Sequence, residues 1–164
     1  MEQQIINIIT TLLQNNSSLI SIALRQRAKF EGWLKFELAN RLLQSYKDTR
    51  VEFPIGGKHI DIMSNNSLIE LKTPNTNYNA TNVEHKTKPI TKNVSGIVND
   101  IKKLRDLRGN HDAYIAFVMF PIDDTLYRKH VNTIENALGY KPNVSPETIT
   151  IGDANFLIYS AKVI

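Results

Sequence analysis

Asp61, Glu70 and Lys72 lie close together in His59-Ile-Asp-Ile-Met-Ser-Asn-Asn-Ser-Leu-Ile-Glu-Leu-Lys72. Two carboxylates and a lysine are the residue types that hold a hard divalent cation and steady the charge on an attacked water. Both flanks of the segment read as strands, because Ile60, Ile62, Ile69 and Leu71 alternate with His59, Asp61, Glu70 and Lys72. Ser64-Asn-Asn-Ser67 reads as the turn between them, since asparagine tolerates the left-handed backbone of a two-residue hairpin loop. With Asn65 and Asn66 as loop residues, Ile62 falls opposite Ile69 and Asp61 opposite Glu70. Like charges facing across a strand pair repel. A cation between them would relieve that repulsion.

Gly56-Gly57 gives a second two-residue turn, which sets Phe53 opposite Ile60, Val51 opposite Ile62 and Glu52 opposite Asp61. The expected product is a three-stranded meander with its apolar residues on one face and Glu52, Asp61, Glu70 and Lys72 on the other. A Glu-x-Lys in a strand is by itself an ordinary solvated pair. The aspartate opposite the glutamate sets this one apart.

The elements that must position these residues follow from hydrophobic periodicity. Ile5, Ile6, Ile9, Leu12 and Leu13 predict a helix over 2–14, which Asn15-Asn-Ser-Ser18 interrupts. A long helix is expected from about Leu19 to Tyr46, with Leu24, Phe30, Trp33, Leu34, Leu38, Arg41 and Leu42 along one face. Strands at about 49–55, 58–64 and 67–73 follow, and Pro74 closes the third. A polar stretch then runs to about Asn93 and carries Tyr78, His85, Lys86, Lys88 and Lys92. Loops of this length in small domains are usually functional or disordered. Val94, Ile97, Val98, Ile101 and Leu104 mark a helix ending near Gly109, and Ala113–Phe120 reads as a strand buried on both faces. A helix at about 124–138 stops at Gly139, and final strand pattern covers 147–151 and 155–162. The expected architecture is an α/β layered single domain over 1–164, with 1–18 as a helical N-terminal extension. Its mixed sheet holds an antiparallel three-strand meander flanked by helices, and a helical crossover delivers the strand at 113–120.

At 164 residues the chain suits one domain with a real core. The absence of cysteine excludes disulfides and thiolate metal sites. No apolar run is long enough to span a bilayer, and Met1-Glu-Gln-Gln lacks the basic start of a secretory signal, so a cytoplasmic protein with no membrane partner is expected. A net charge of +4 and a pI near 9.3 suit an anionic partner.

The order helix, meander, helix, strand, together with Ile60-Asp61, eight residues, then Glu70-Leu71-Lys72, resembles the PD-(D/E)xK nuclease superfamily. The likeness covers roughly residues 30–120, the expected catalytic core, and implies a restriction-endonuclease-like domain. Ile60 stands where the family motif has proline. The resemblance implies that Asp61, Glu70 and Leu71 hold Mg²⁺, for which Mn²⁺ can substitute, and that Lys72 orients or polarises the attacking water. A glutamate on the first helix completes many such sites. Glu37, one turn after Trp33 and one turn before Arg41, is preferred to Glu31 here, although Glu37 could equally pair with Arg41 at i, i+4. Glu52 is a further candidate, with a solvated edge-strand charge as the alternative.

The implied activity is a Mg²⁺-dependent DNA endonuclease, restriction-like or from a mobile element or defence system, leaving 5′-phosphate and 3′-hydroxyl ends. A junction-resolving or repair nuclease, and a non-cleaving DNA-binding protein on the same fold, are the alternatives. Lys86, Lys88 and Lys92 are expected to contact DNA phosphates, and a homodimer or higher homo-oligomer is expected. His59 is expected opposite Lys72; His111 reads as a loop residue, and His85 and His130 show no ligand spacing.

Overall fold

The structure is a computed structural model that describes residues 1–76, 90–123 and 125–164. Among the described residues the elements run α1 (Glu2–Asn15), α2 (Ser17–Gln26), α3 (Glu31–Ser45), β1 (Arg50–Ile55), β2 (Lys58–Ser64), β3 (Ser67–Lys72), α4 (Ile90–Leu107), β4 (Asp112–Ile122), α5 (Tyr127–Leu138), β5 (Glu147–Ile151) and β6 (Ala154–Lys162). The strands form one open sheet in the order β1-β2-β3-β4-β6-β5. Only β3 and β4 pair in parallel, joined through α4; the other pairs are antiparallel.

Three layers result. Alternate residues of β4 serve the two faces: Tyr114, Ala116, Val118 and Phe120 pack with α1–α3, while Ala113, Ile115, Phe117 and Met119 pack with α4 and α5. This double burial explains the unbroken apolar run of that strand. Ile5, Ile6, Ile9 and Leu13 of α1 are fully buried, and the helix packs on β5, β6 and α3. Each such side chain contributes roughly 1.5–3 kcal/mol by leaving water. Residues 1–18 therefore belong to the core layer that covers the far end of the sheet.

The meander pairs in the expected register. Asn65 and Asn66 both adopt left-handed backbone (φ 50° and 56°), and Ile62 lies opposite Ile69. Val51 lies opposite Ile62 and Phe53 opposite Ile60. Three expectations are corrected. The long helix at 19–46 is two helices. Arg27 turns left-handed (φ 47°), and Arg27 N and Ala28 N donate to Leu24 O and Ala23 O, the paired bonds that close a helix end. Asn75 Nδ2 bonds Arg27 O, and Arg27 Nη1 donates to Thr76 O at 2.9 Å, so contacts with distant residues hold the break.

The second correction concerns pairing. Asp61 and Glu70 are not ladder partners, because β2–β3 pairing stops at Ile62–Ile69. The flanking pairs Val51–Ile62 and Phe53–Ile60 keep one register, which sets Glu52 opposite Asp61 as expected, although Glu52 stands at φ 50°, a rare conformation for a non-glycine strand residue. The third concerns faces. Ile62, Ile69 and Leu71 pack toward α3 as expected, but Ile60 joins the core on the α4 side with Phe53 and Ile55. Of the residues expected on the polar face, Glu70 meets Lys103 of α4, whereas Glu52 and Asp61 meet Lys35 of α3.

Candidate active site

Where β2 and β3 part, the carboxylate of Asp61 fills the gap. Its Oδ2 accepts a hydrogen bond from Leu71 N at 2.9 Å, and its Oδ1 lies 3.5 Å from Lys35 Nζ. Lys35, on α3, also pairs with Glu52. Burial works against the charge on Lys35, but the carboxylates of Glu52 and Asp61 outweigh it and raise its pKa. The left-handed turn at Glu52 thus accompanies a charge contact from the edge strand to the helix above.

Glu70 is only 2% exposed. Its Oε1 forms an ion pair with Lys103 Nζ of α4. Burial pushes its pKa up to about 8, with Asp61 and Asp100 adding to the rise and Lys103 opposing it. A carboxyl group poised near neutrality is the kind of perturbed group that concentrates at functional sites.

Lys72 Nζ stands 3.4 Å from Glu31 Oε1 and 3.4 Å from Asp100 Oδ2. Burial disfavours its charge, but Glu31, Asp100, Asp61 and Glu70 together push its pKa up to about 12. Lys72 is therefore held as an ammonium ion between α3 and α4. Glu31 is anchored in turn, since Thr73 N donates to its Oε2 at 3.2 Å.

Asp61, Glu70 and Lys72 are accordingly brought into one cluster, with Glu52 at its margin. Glu37 lies outside it and makes no hydrogen bond or ion pair among the described residues, including with Arg41. The α3 glutamate in the cluster is Glu31, because the break at Arg27 starts α3 beside the end of β3. His59 lies opposite Pro54 on β1, away from Lys72 in register, and its main-chain carbonyl accepts from Lys103 Nζ at 2.8 Å. Lys92 is exposed on the first turn of α4. Lys86 and Lys88 lie outside the described residues.

Sequence reasoning missed Lys35, Asp100 and Lys103. A signal existed: Asp100 and Lys103 interrupt the margin of the Ile97, Ile101, Leu104 stripe at a spacing of three. Lys35 follows Glu31 by one turn.

The donor chemistry suits a divalent ion. Five carboxylates (Glu31, Glu52, Asp61, Glu70, Asp100) face three ammonium groups (Lys35, Lys72, Lys103), leaving two negative charges in excess when all are ionised. Glu70 Oε1 and Asp100 Oδ2 are buried, and each faces an ammonium group, Lys103 and Lys72 respectively. Among the described residues no three acidic or histidine side chains stand close enough to enclose a metal by themselves. Mg²⁺ does not need such a cage, since it binds through one or two carboxylates and keeps several waters. Comparison with family models, curated proteins and solved structures gave no match.

Proposed function

We propose that this chain is a Mg²⁺-dependent DNA endonuclease with a restriction-endonuclease-like fold. The observation that carries the reading is the convergence of Asp61, buried Glu70 and Lys72 at the gap between β2 and β3. Asp61, Glu70 and Leu71 would hold the ion. When bound, it supplies Lewis-acid polarisation of the phosphodiester and a lowered pKa for water.

The chain's own residues do the rest. Lys72, fixed as an ammonium by Glu31 and Asp100, offsets negative charge developing on the attacking oxygen and on the phosphoryl oxygens. Glu31 and Asp100 act as positioning residues, holding Lys72 from two sides. Leu71 N–H holds the Asp61 carboxylate in place. The net charge of +4 favours a polyanionic substrate.

One observation favours a second reading, a non-cleaving DNA-binding protein on the same fold. Lys103 and Lys35 already neutralise much of the charge on Glu70 and Asp61. Purified protein incubated with supercoiled plasmid, linear duplex and a four-way junction, in Mg²⁺ and in EDTA, separates the readings. Mg²⁺-dependent cutting lost in Lys72→Ala supports the nuclease. Preference for the junction assigns it to branched DNA, and binding without cutting assigns the chain to the second reading.

A further inference from the structure

Three lysines sit among the carboxylates, and they are not equivalent. Lys72 lies between Glu31 and Asp100, and Lys35 between Glu52 and Asp61, each held by two acids. Lys103 pairs with one carboxylate only, Glu70, among the described residues, and its second contact is the neutral carbonyl of His59 at 2.8 Å. Lys103 therefore spans the parted strands: His59 belongs to β2, two residues before Asp61, and Glu70 belongs to β3. Its side chain is 23% exposed while that of Glu70 is 3% exposed. The ammonium has a way out to water that the carboxylate lacks.

We propose, resting on the metal-dependent reading above, that Lys103 is an exchangeable counter-ion of this site. Its ammonium holds the place at Glu70 that a divalent cation takes, and cation entry and Lys103 release are a single event. Glu70 is too deeply buried to remain ionised without a cation at hand. Lys103 is the ammonium paired with the Glu70 carboxyl in the metal-free protein, at the gap between β2 and β3. The exchange also selects for charge. A monovalent ion replaces one positive charge by one and gains nothing, whereas a divalent ion halves the excess of two negative charges.

The test is calorimetric titration of Mn²⁺, without DNA, into wild type, Lys103→Met and Lys103→Gln. Removing a competing positive charge a few ångströms from a dication should tighten binding about tenfold or more. Lys103→Gln keeps a donor for the His59 carbonyl and guards against loss of fold in the methionine variant. In the wild type, the ammonium resonance of Lys103 should shift toward that of a solvated lysine as Mg²⁺ saturates. Wild-type binding of Mn²⁺ with equal or weaker binding by the folded variants overturns the counter-ion proposal and leaves the metal-dependent reading standing. No Mn²⁺ binding by any of the three proteins overturns both. If neither variant folds, an unmoved Lys103 resonance at saturating Mg²⁺ overturns it.

Discussion

Asp61 Oδ2 accepts a hydrogen bond from the main-chain N–H of Leu71, at 2.9 Å, across the point where β2 and β3 stop pairing. The side chain thus satisfies a backbone donor on the neighbouring strand. Asp61 has a structural duty as well as a proposed chemical one, and two substitutions separate them. Asp61→Asn retains an oxygen acceptor and should fold with nearly wild-type stability while losing Mg²⁺-dependent cleavage. Asp61→Ala leaves the Leu71 N–H unpaired in a buried position, at a cost of about 1–3 kcal/mol. Denaturant melts of the two variants, beside plasmid assays, check both halves. Equal stability of the two would deny the hydrogen bond its role.

Glu31 and Glu37 offer a test of which helix glutamate matters. Glu31 touches Lys72 and Thr73 N, so Glu31→Gln should reduce cleavage by roughly 10- to 100-fold, the usual loss for a group that orients a site residue. Its pH profile should change as well, because one of the charges acting on Lys72 is removed. Glu37→Gln should stay close to wild type. The opposite ranking in cleavage rates would mean that α3 shifts when DNA binds.

Glu70 should make stability fall as pH rises. Its pKa is about 8 in the folded chain against 4.5 ordinarily. Between those values the folded state keeps a proton that the unfolded state has lost, so its stabilising contribution is full below about 4.5 and is lost as pH rises through about 8. At about 1.4 kcal/mol per pH unit the whole effect is on the order of 5 kcal/mol. Metal-free melts across this range should slope downward for wild type and much less for Glu70→Gln. Divalent-ion affinity should run the other way and strengthen toward pH 8, because the bound carboxyl must ionise. Parallel melting profiles for the two proteins would place Glu70 in a more polar setting.

Lys86, Lys88 and Lys92 should contribute to DNA binding without sequence preference. Neutralising all three should weaken binding and reduce the dependence of log K on log salt by about two to three units, at roughly 0.9 per phosphate contact. Filter binding at several salt concentrations measures this directly. An unchanged slope would put the DNA on another surface.

Local rules carried most of the secondary structure and both hairpins. Asn65-Asn66 and Gly56-Gly57 determine their own turns, and each turn sets the register of its strands, so Ile62 opposite Ile69 and Val51 opposite Ile62 could be read directly. Contacts between distant residues were not legible. The helix break at Arg27 has neither glycine nor proline and depends on Asn75 and Thr76, so α3 was expected to begin too early and Glu37 was preferred to Glu31. Asp100 and Lys103 left only their spacing of three beside the α4 stripe as a mark, and their approach to Lys72 and Glu70 requires the α4 crossover. The left-handed Glu52 had no sequence mark either, because glutamate is an unusual residue for that conformation.

The parallel pairing of β3 with β4 has a consequence for how the cluster comes into being. A parallel pair requires a long crossover, and contacts of such range form slowly because much chain must be ordered first. A chain folded only as far as the meander already has Asp61, Glu70 and Lys72 in place, but it lacks the roof that α4 supplies. Without that roof Glu70 would face water and lose the burial that raises its pKa. Its elevated pKa is therefore a chemical signature of completed folding, and the poised carboxyl group is acquired with the docking of α4.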